Sequence, residues 1–166
     1  MAGPPQLATL NFLKQQTSLV TSNTTNSLAN VPLITANTPK VATITGATTL
    51  TAAQTGTLFL VDESTSPYTI TLPALSASQA LIYTFVVQTV STGDVTIARS
   101  GTDNFPYSSV ELAGTPTDIS GGSTFEILLD ASNSTVGDFV EIMSVSGPDW
   151  FFRGSAVNSN GISSNP

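Results

Sequence analysis

The chain has no cysteine and no histidine, and only four of its 166 residues are Lys or Arg. Without cysteine there is no disulfide framework and no thiolate metal site, so packing or assembly must supply stability. Without histidine or cysteine, Ser-His-Asp and Cys-His nucleophile systems cannot be built, and the commonest general base near neutral pH is missing. A Ser-Lys dyad would depend on Lys14 or Lys40, both in a stretch with no rigid frame to hold a nucleophile. No catalytic residue and no cofactor are expected. Eleven acidic residues bring the net charge to −7, which leaves no basic stripe for a phosphate backbone, so nucleic acid is not an expected partner. No apolar run approaches the roughly 18 residues of a membrane helix. The opening Met-Ala-Gly-Pro-Pro lacks the basic start and apolar stretch of a signal peptide. No membrane partner is expected, and synthesis in the cytoplasm is.

Charge is scarce overall: 9% of residues are charged and 40% are hydrophobic. The polar surface must therefore be made mainly of Ser, Thr, Asn and Gln, a surface suited to packing against other protein. The charge is also unevenly placed, since residues 1–40 hold no Asp or Glu and every acid lies between Asp62 and Asp149. Residues 1–40 read as an extended N-terminal arm, 41–154 as a β-domain and 155–166 as a flexible C-terminal tail. The arm carries Leu7, Leu10, Phe12, Leu13, Leu19, Val20, Leu28, Val31, Leu33 and Ile34, more apolar material than a solvated linker needs. Those ten residues are the expected partner-binding positions, ordering against a neighbouring surface.

From Val41 onward, short runs of β-branched and aromatic residues alternate with turn signals, which predicts an all-β fold. The expectation is an antiparallel β-sandwich or small β-barrel. Strands are predicted at Val41 to Thr45, Thr57 to Asp62, Tyr68 to Leu72, Leu81 to Val90, Val95 to Ala98, Thr124 to Asp130 and Phe139 to Val145. Leu81 to Val90 reads as a central strand buried on both faces, and Thr92-Gly93-Asp94 as a hairpin turn. Leu75 to Ala80 reads as a helical turn, Phe105-Pro106-Tyr107 as loop, Val110 to Leu112 as a short edge strand, and Trp150-Phe151-Phe152 as a closing strand. Expected inside are Leu58, Leu60, Ile70, Leu72, Phe85, Val87, Ile127, Leu129, Ile142 and Trp150. No fixed-period repeat is visible.

Two acids flanking a sugar would suffice for a glycosidase, and carboxylates such as Asp62, Glu63, Asp130 and Asp138 are candidates. Most acids, however, sit at strand ends or on outward phases, as Glu126 and Glu141 do between apolar neighbours. The Asp130 to Asp138 loop offers calcium-type oxygens in Asp130, Asn133 and Asp138 but lacks the spaced ligand pattern of a calcium loop, so it reads as a plain loop and no metal ligand is assigned. Alternation turns Trp150 and Phe152 to one face and Phe151 to the other, which suits a core or an oligomer seam better than a sugar-stacking shelf.

Four elements recur in a telling order: Leu50-Thr51 to Gly56, Phe59 to Asp62, Thr69-Ile70-Thr71-Leu72-Pro73, and Tyr83-Thr84-Phe85-Val86-Val87. An L-T-x-x-x-x-G turn leads into an aromatic strand ending in Asp, then a T-I-T-L-P strand and a Y-x-F-V-V strand. In that order the chain resembles a module of tailed-bacteriophage virion structural proteins. The resemblance implies a non-enzymatic virion part, foremost a capsid decoration or cement protein on the capsid exterior, made in the host cytoplasm. Its implied partners are the major capsid protein, bound through the arm, and itself as a homotrimer. A head-fibre or tail-fibre component, or a sugar-binding adhesin module, is the alternative.

Overall fold

Twelve strands and one 3-10 turn form the regular structure of the described residues in a computed structural model, which covers 40–64, 67–76, 80–119, 126–144 and 148–165. The strands are β1 Lys40–Ile44, β2 Thr48–Thr49, β3 Thr57–Asp62, β4 Tyr68–Thr71, β5 Ile82–Thr89 and β6 Val95–Ala98, then β7 Asn104–Leu112, β8 Thr115–Thr117, β9 Glu126–Leu129, β10 Phe139–Ser144, β11 Asp149–Ala156 and β12 Ile162–Asn165. The Leu75 to Ala80 helical turn runs through 77–79, and the start of the Thr124 to Asp130 strand falls in 120–125; both of these stretches lie outside the described residues.

The strands form a seven-stranded sheet, ordered β1-β3-β5-β10-β11-β7-β8, and a five-stranded sheet, ordered β12-β9-β6-β4-β2. The two pack as a sandwich. From β1 to β6 the chain visits the sheets alternately, so β1, β3 and β5 lie parallel in one and β2, β4 and β6 parallel in the other. This half is a flattened coil with two strands per turn. The antiparallel sense expected throughout is therefore corrected: β5–β10, β10–β11, β7–β8, β6–β9 and β9–β12 are antiparallel, and the other five pairs are parallel. A strand that crosses to the opposite sheet and returns comes back pointing the same way. The Thr92-Gly93-Asp94 turn is likewise a crossing and not a hairpin, because both edges of β5 are taken, by β3 and β10. The 130–138 loop also crosses, from β9 to β10. Lys40 lies beside Thr57 and Thr57 beside Tyr83, so successive coils differ in length and no fixed period shows in the sequence.

The space between the sheets is filled by Phe59, Tyr83, Phe85, Phe105, Trp150 and Phe152 from one side and by Ile70, Leu72, Ile97, Ile127, Leu129 and Ile162 from the other. Of the positions expected inside, Ile70, Leu72, Phe85, Val87, Ile127, Leu129, Ile142 and Trp150 are buried. Leu58 and Leu60 are half-buried on the outer phase instead, while Thr57, Phe59 and Val61 point in. Both phases of this strand are apolar, and the choice follows Phe59, whose ring stacks on Phe85 with centroids 5.4 Å apart. β5 is central, as expected, but only one of its faces is buried: Tyr83, Phe85 and Val87 face the core, and Ile82 is 44% exposed.

Three corrections concern the second half. Phe105-Pro106-Tyr107 is strand, not loop, and β7 is an interior strand between β11 and β8. A register shift sets Asn104 beside Asp149 and Tyr107 beside Phe151, so one extra residue of β7 is accommodated and Pro106 loses no ladder bond there. β11 does not close the fold. Ser155 and Ala156 continue it, and β12 pairs with β9 with Ile162 fully buried, so residues 155–165 are part of the sandwich and not a tail.

The L-T-x-x-x-x-G segment shapes the crossing into β3. Leu50 is buried, the Thr51 amide donates to Gln54 Oε1 (2.8 Å) across a 3-10 turn, and Gly56 takes φ +74° to enter the strand. The Tyr83 hydroxyl donates to the Thr51 carbonyl at 2.9 Å, which fastens the turn to β5.

Candidate interaction surface

Strand alternation that sends one set of residues into the core lays another on the outer face of the large sheet. Cross-strand register aligns Ile82, Met143, Phe151 and Tyr107 in one row over β5, β10, β11 and β7. The row is wholly apolar or aromatic, and Tyr107 is 65% exposed. The next row runs Leu58, Thr84, Glu141, Arg153 and Ser109, and the third Leu60, Val86, Phe139, Ser155 and Glu111. Charge at the centre of this face is internally neutralised: Arg153 Nη2 and Nε both approach Glu141 Oε1 at 2.7 Å. A groove of about 330 Å³ crosses one end, lined by Ser109, Glu111, Pro116, Phe139 and Arg153. Gly154 lies at its base, where a Cβ would collide with the main-chain oxygen of Phe139.

The ten arm positions from Leu7 to Ile34, proposed from sequence as partner-binding, lie outside the described residues, as does Lys14. Lys40 is exposed at the start of β1. Trp150 and Phe152 are buried and Phe151 faces outward, the alternation read from the sequence. The Trp150 indole packs 6.1 Å from the Tyr83 ring, centroid to centroid, and offers no shelf for a sugar. Among the described residues the exposed aromatics are Tyr107 and Phe139, and Phe151 lies half-buried beside Tyr107, a neighbour that a loop at 105–107 would not provide.

The carboxylates considered from sequence separate in role. Asp62 is bonded by Ser64, whose side chain first and whose amide second (2.9 Å, to Oδ1) hold its carboxyl below the usual range. Asp130 accepts from the Ser132 amide (2.9 Å) and Asn133 Nδ2 (2.8 Å), while Asp138 accepts from the amides of Thr135 (2.8 Å) and Val157 (3.0 Å). The oxygens of the 130–138 loop are thus engaged in shaping it. Among the described residues no three acidic side chains converge to hold a metal ion.

No known protein family matches the chain, and no curated protein does.

Proposed function

We propose that this chain is a non-enzymatic virion structural protein of a tailed bacteriophage, a capsid decoration or cement protein that binds the major capsid protein on the shell exterior. The observation carrying the reading is the outer sheet face: an apolar row four strands wide, next to a row whose Glu141 and Arg153 are paired to each other. Such a face is suited to protein contact, since interface cores are depleted of unpaired charge and enriched in aromatics and Met. The ordered motifs of the virion module support the same reading. Each does structural work here, as crossing turn, β3, β4 and β5. The apolar arm supplies anchoring contacts, and three-fold self-association distributes them over the capsid surface.

The test is a binding assay on undecorated particles. The full chain should bind, while deletion of residues 1–38 should abolish binding and leave the circular dichroism spectrum that of a folded β-protein. Full-affinity binding by the truncated protein would sink the anchor role. Phe151→Glu, on the outer face, should weaken binding at least tenfold. Sedimentation of the free protein over a concentration series should give a trimer. A monomer, both free and on the particle, would end the homotrimer assignment.

A second reading is favoured by the exposed Tyr107 beside the half-buried Phe151, an aromatic pair able to stack on sugar rings. In that case the body is the receptor-binding part of a fibre or an adhesin. Specific signals on a glycan array that vanish with Tyr107→Ala would select it.

A further inference from the structure

Three crossings meet at one end of the sandwich: β3 to β4 at Glu63, β5 to β6 at Gly93-Asp94, and β9 to β10 over 130–138. Main-chain bonds tie the first two, from the Glu63 amide to the Thr89 carbonyl (2.9 Å) and from the Gly93 amide to the Glu63 carbonyl (3.1 Å). The third is tied to the second by the Ala131 amide donating to Asp94 Oδ1 (3.0 Å). Within this junction the Glu63 side chain is 0% exposed, and neither carboxylate oxygen has a hydrogen-bond partner. A buried ionised carboxylate with no donor is among the least favourable groups a fold can hold.

Its surroundings make ionisation harder still. The charged groups acting on it are Asp138, Asp94 and Asp130, all acidic. The Tyr68 hydroxyl, near enough for Glu63 to influence its own titration, adds no positive charge. One group pulls the other way, the Ser134 hydroxyl, and its oxygen is itself buried and without a hydrogen bond. The Ser134 hydroxyl can donate to the ionised carboxylate or accept from the protonated one, so it suits either form, and only the protonated form escapes the charge of the three aspartates.

We infer that Glu63 is a proton-controlled latch: protonated, it locks the three crossings together, and ionised, it loosens this end of the sandwich. Burial, the larger cause, and the three aspartates together push its carboxyl up to about 7 from an ordinary 4.5. Because the folded value is the raised one, the stabilisation is full below about 4.5 and is lost as pH rises through 7.

The experiment uses the full chain and its Glu63→Gln variant, in which a neutral amide stands in for the protonated acid. Urea unfolding is followed from pH 5 to 9. The wild type should lose roughly a hundredfold in its folding equilibrium constant between pH 5 and 8, and Glu63→Gln should lose far less and be the more stable protein at pH 8. Amide exchange at Glu63, Gly93 and Ala131, corrected for intrinsic rate, should accelerate with pH in the wild type alone. Equal pH slopes in the two proteins would overturn the latch. So would calcium chloride restoring wild-type stability at pH 8, which would make the junction a cation site. Should the variant not fold, carbon-13 titration of the wild-type Glu63 carboxyl decides: a midpoint near 7 supports the latch and one below 5 overturns it.

Discussion

The phenolic oxygen of Tyr68, on β4 of the small sheet, lies 3.1 Å from the main-chain oxygen of Ile44, on β1 of the large one. It also lies 3.0 Å from the Asp62 carbonyl at the end of β3. One hydroxyl thus bridges the two layers at the first coil. Burial, reinforced by the Asp62 charge, pushes that hydroxyl up to about 12, so it stays a donor through the physiological range. Tyr68→Phe should lower unfolding free energy by about 1–2 kcal/mol, since it strips a buried carbonyl of its donor. Urea titration at constant m-value checks this, and an unchanged midpoint would show that water replaces the bond.

The phase of β3 can be tested by a pair of truncations. Phe59→Ala removes a fully buried ring stacked on Phe85 and should cost about 3–5 kcal/mol. Leu60→Ala, on the half-buried outer face, should cost less than half as much. The reverse order in denaturant titrations would mean that Leu58 and Leu60 are the core residues after all.

Gly154→Ala should destabilise by about 1–3 kcal/mol through overpacking. Its Cβ would meet the Phe139 main-chain oxygen, which the β10–β11 ladder holds in place, and would lie 3.3 Å from Ile162 Cδ1. Thermal unfolding is the simplest readout, and a melting temperature equal to wild type would contradict the close approach.

Trp150 is the single tryptophan and is 0% exposed, which makes it a direct reporter. Its emission should be blue-shifted in the native protein, resist iodide quenching, and move red on unfolding. Ready quenching in native buffer would return Trp150 to the surface and revive the sugar-shelf reading.

Much of this fold was legible in the sequence, in uneven ways. Strand positions came through where β-branched residues stand between Gly, Pro and Asp, and β3 and β10 fall almost where the pattern put them. Partner choice did not. The Thr92-Gly93-Asp94 signal is the same whether a chain reverses beside itself or arches to another sheet, and only the occupied edges of β5 decide. Phase failed in β3, where Leu58 and Leu60 compete with Phe59 and Val61 on equal terms. It held in Trp150-Phe151-Phe152, where the aromatics differ in what they can bury. Pro106 hid most of β7, because a proline argues against an interior strand unless a bulge receives it. The outer-face row was illegible for the same reason: it needs Tyr107 to be in a strand.

The strand order also governs what a ribosome can release in folded form. β1, β3 and β5 can pair in the order they are made, but the β7–β8 hairpin borders only β11, synthesised long after it. Until Ala156 has emerged, the apolar side of β7 (Phe105, Val110, Leu112) has no sheet to join. A nascent chain halted anywhere before that point presents a half-built layer, and completion is withheld until nearly the last strand arrives.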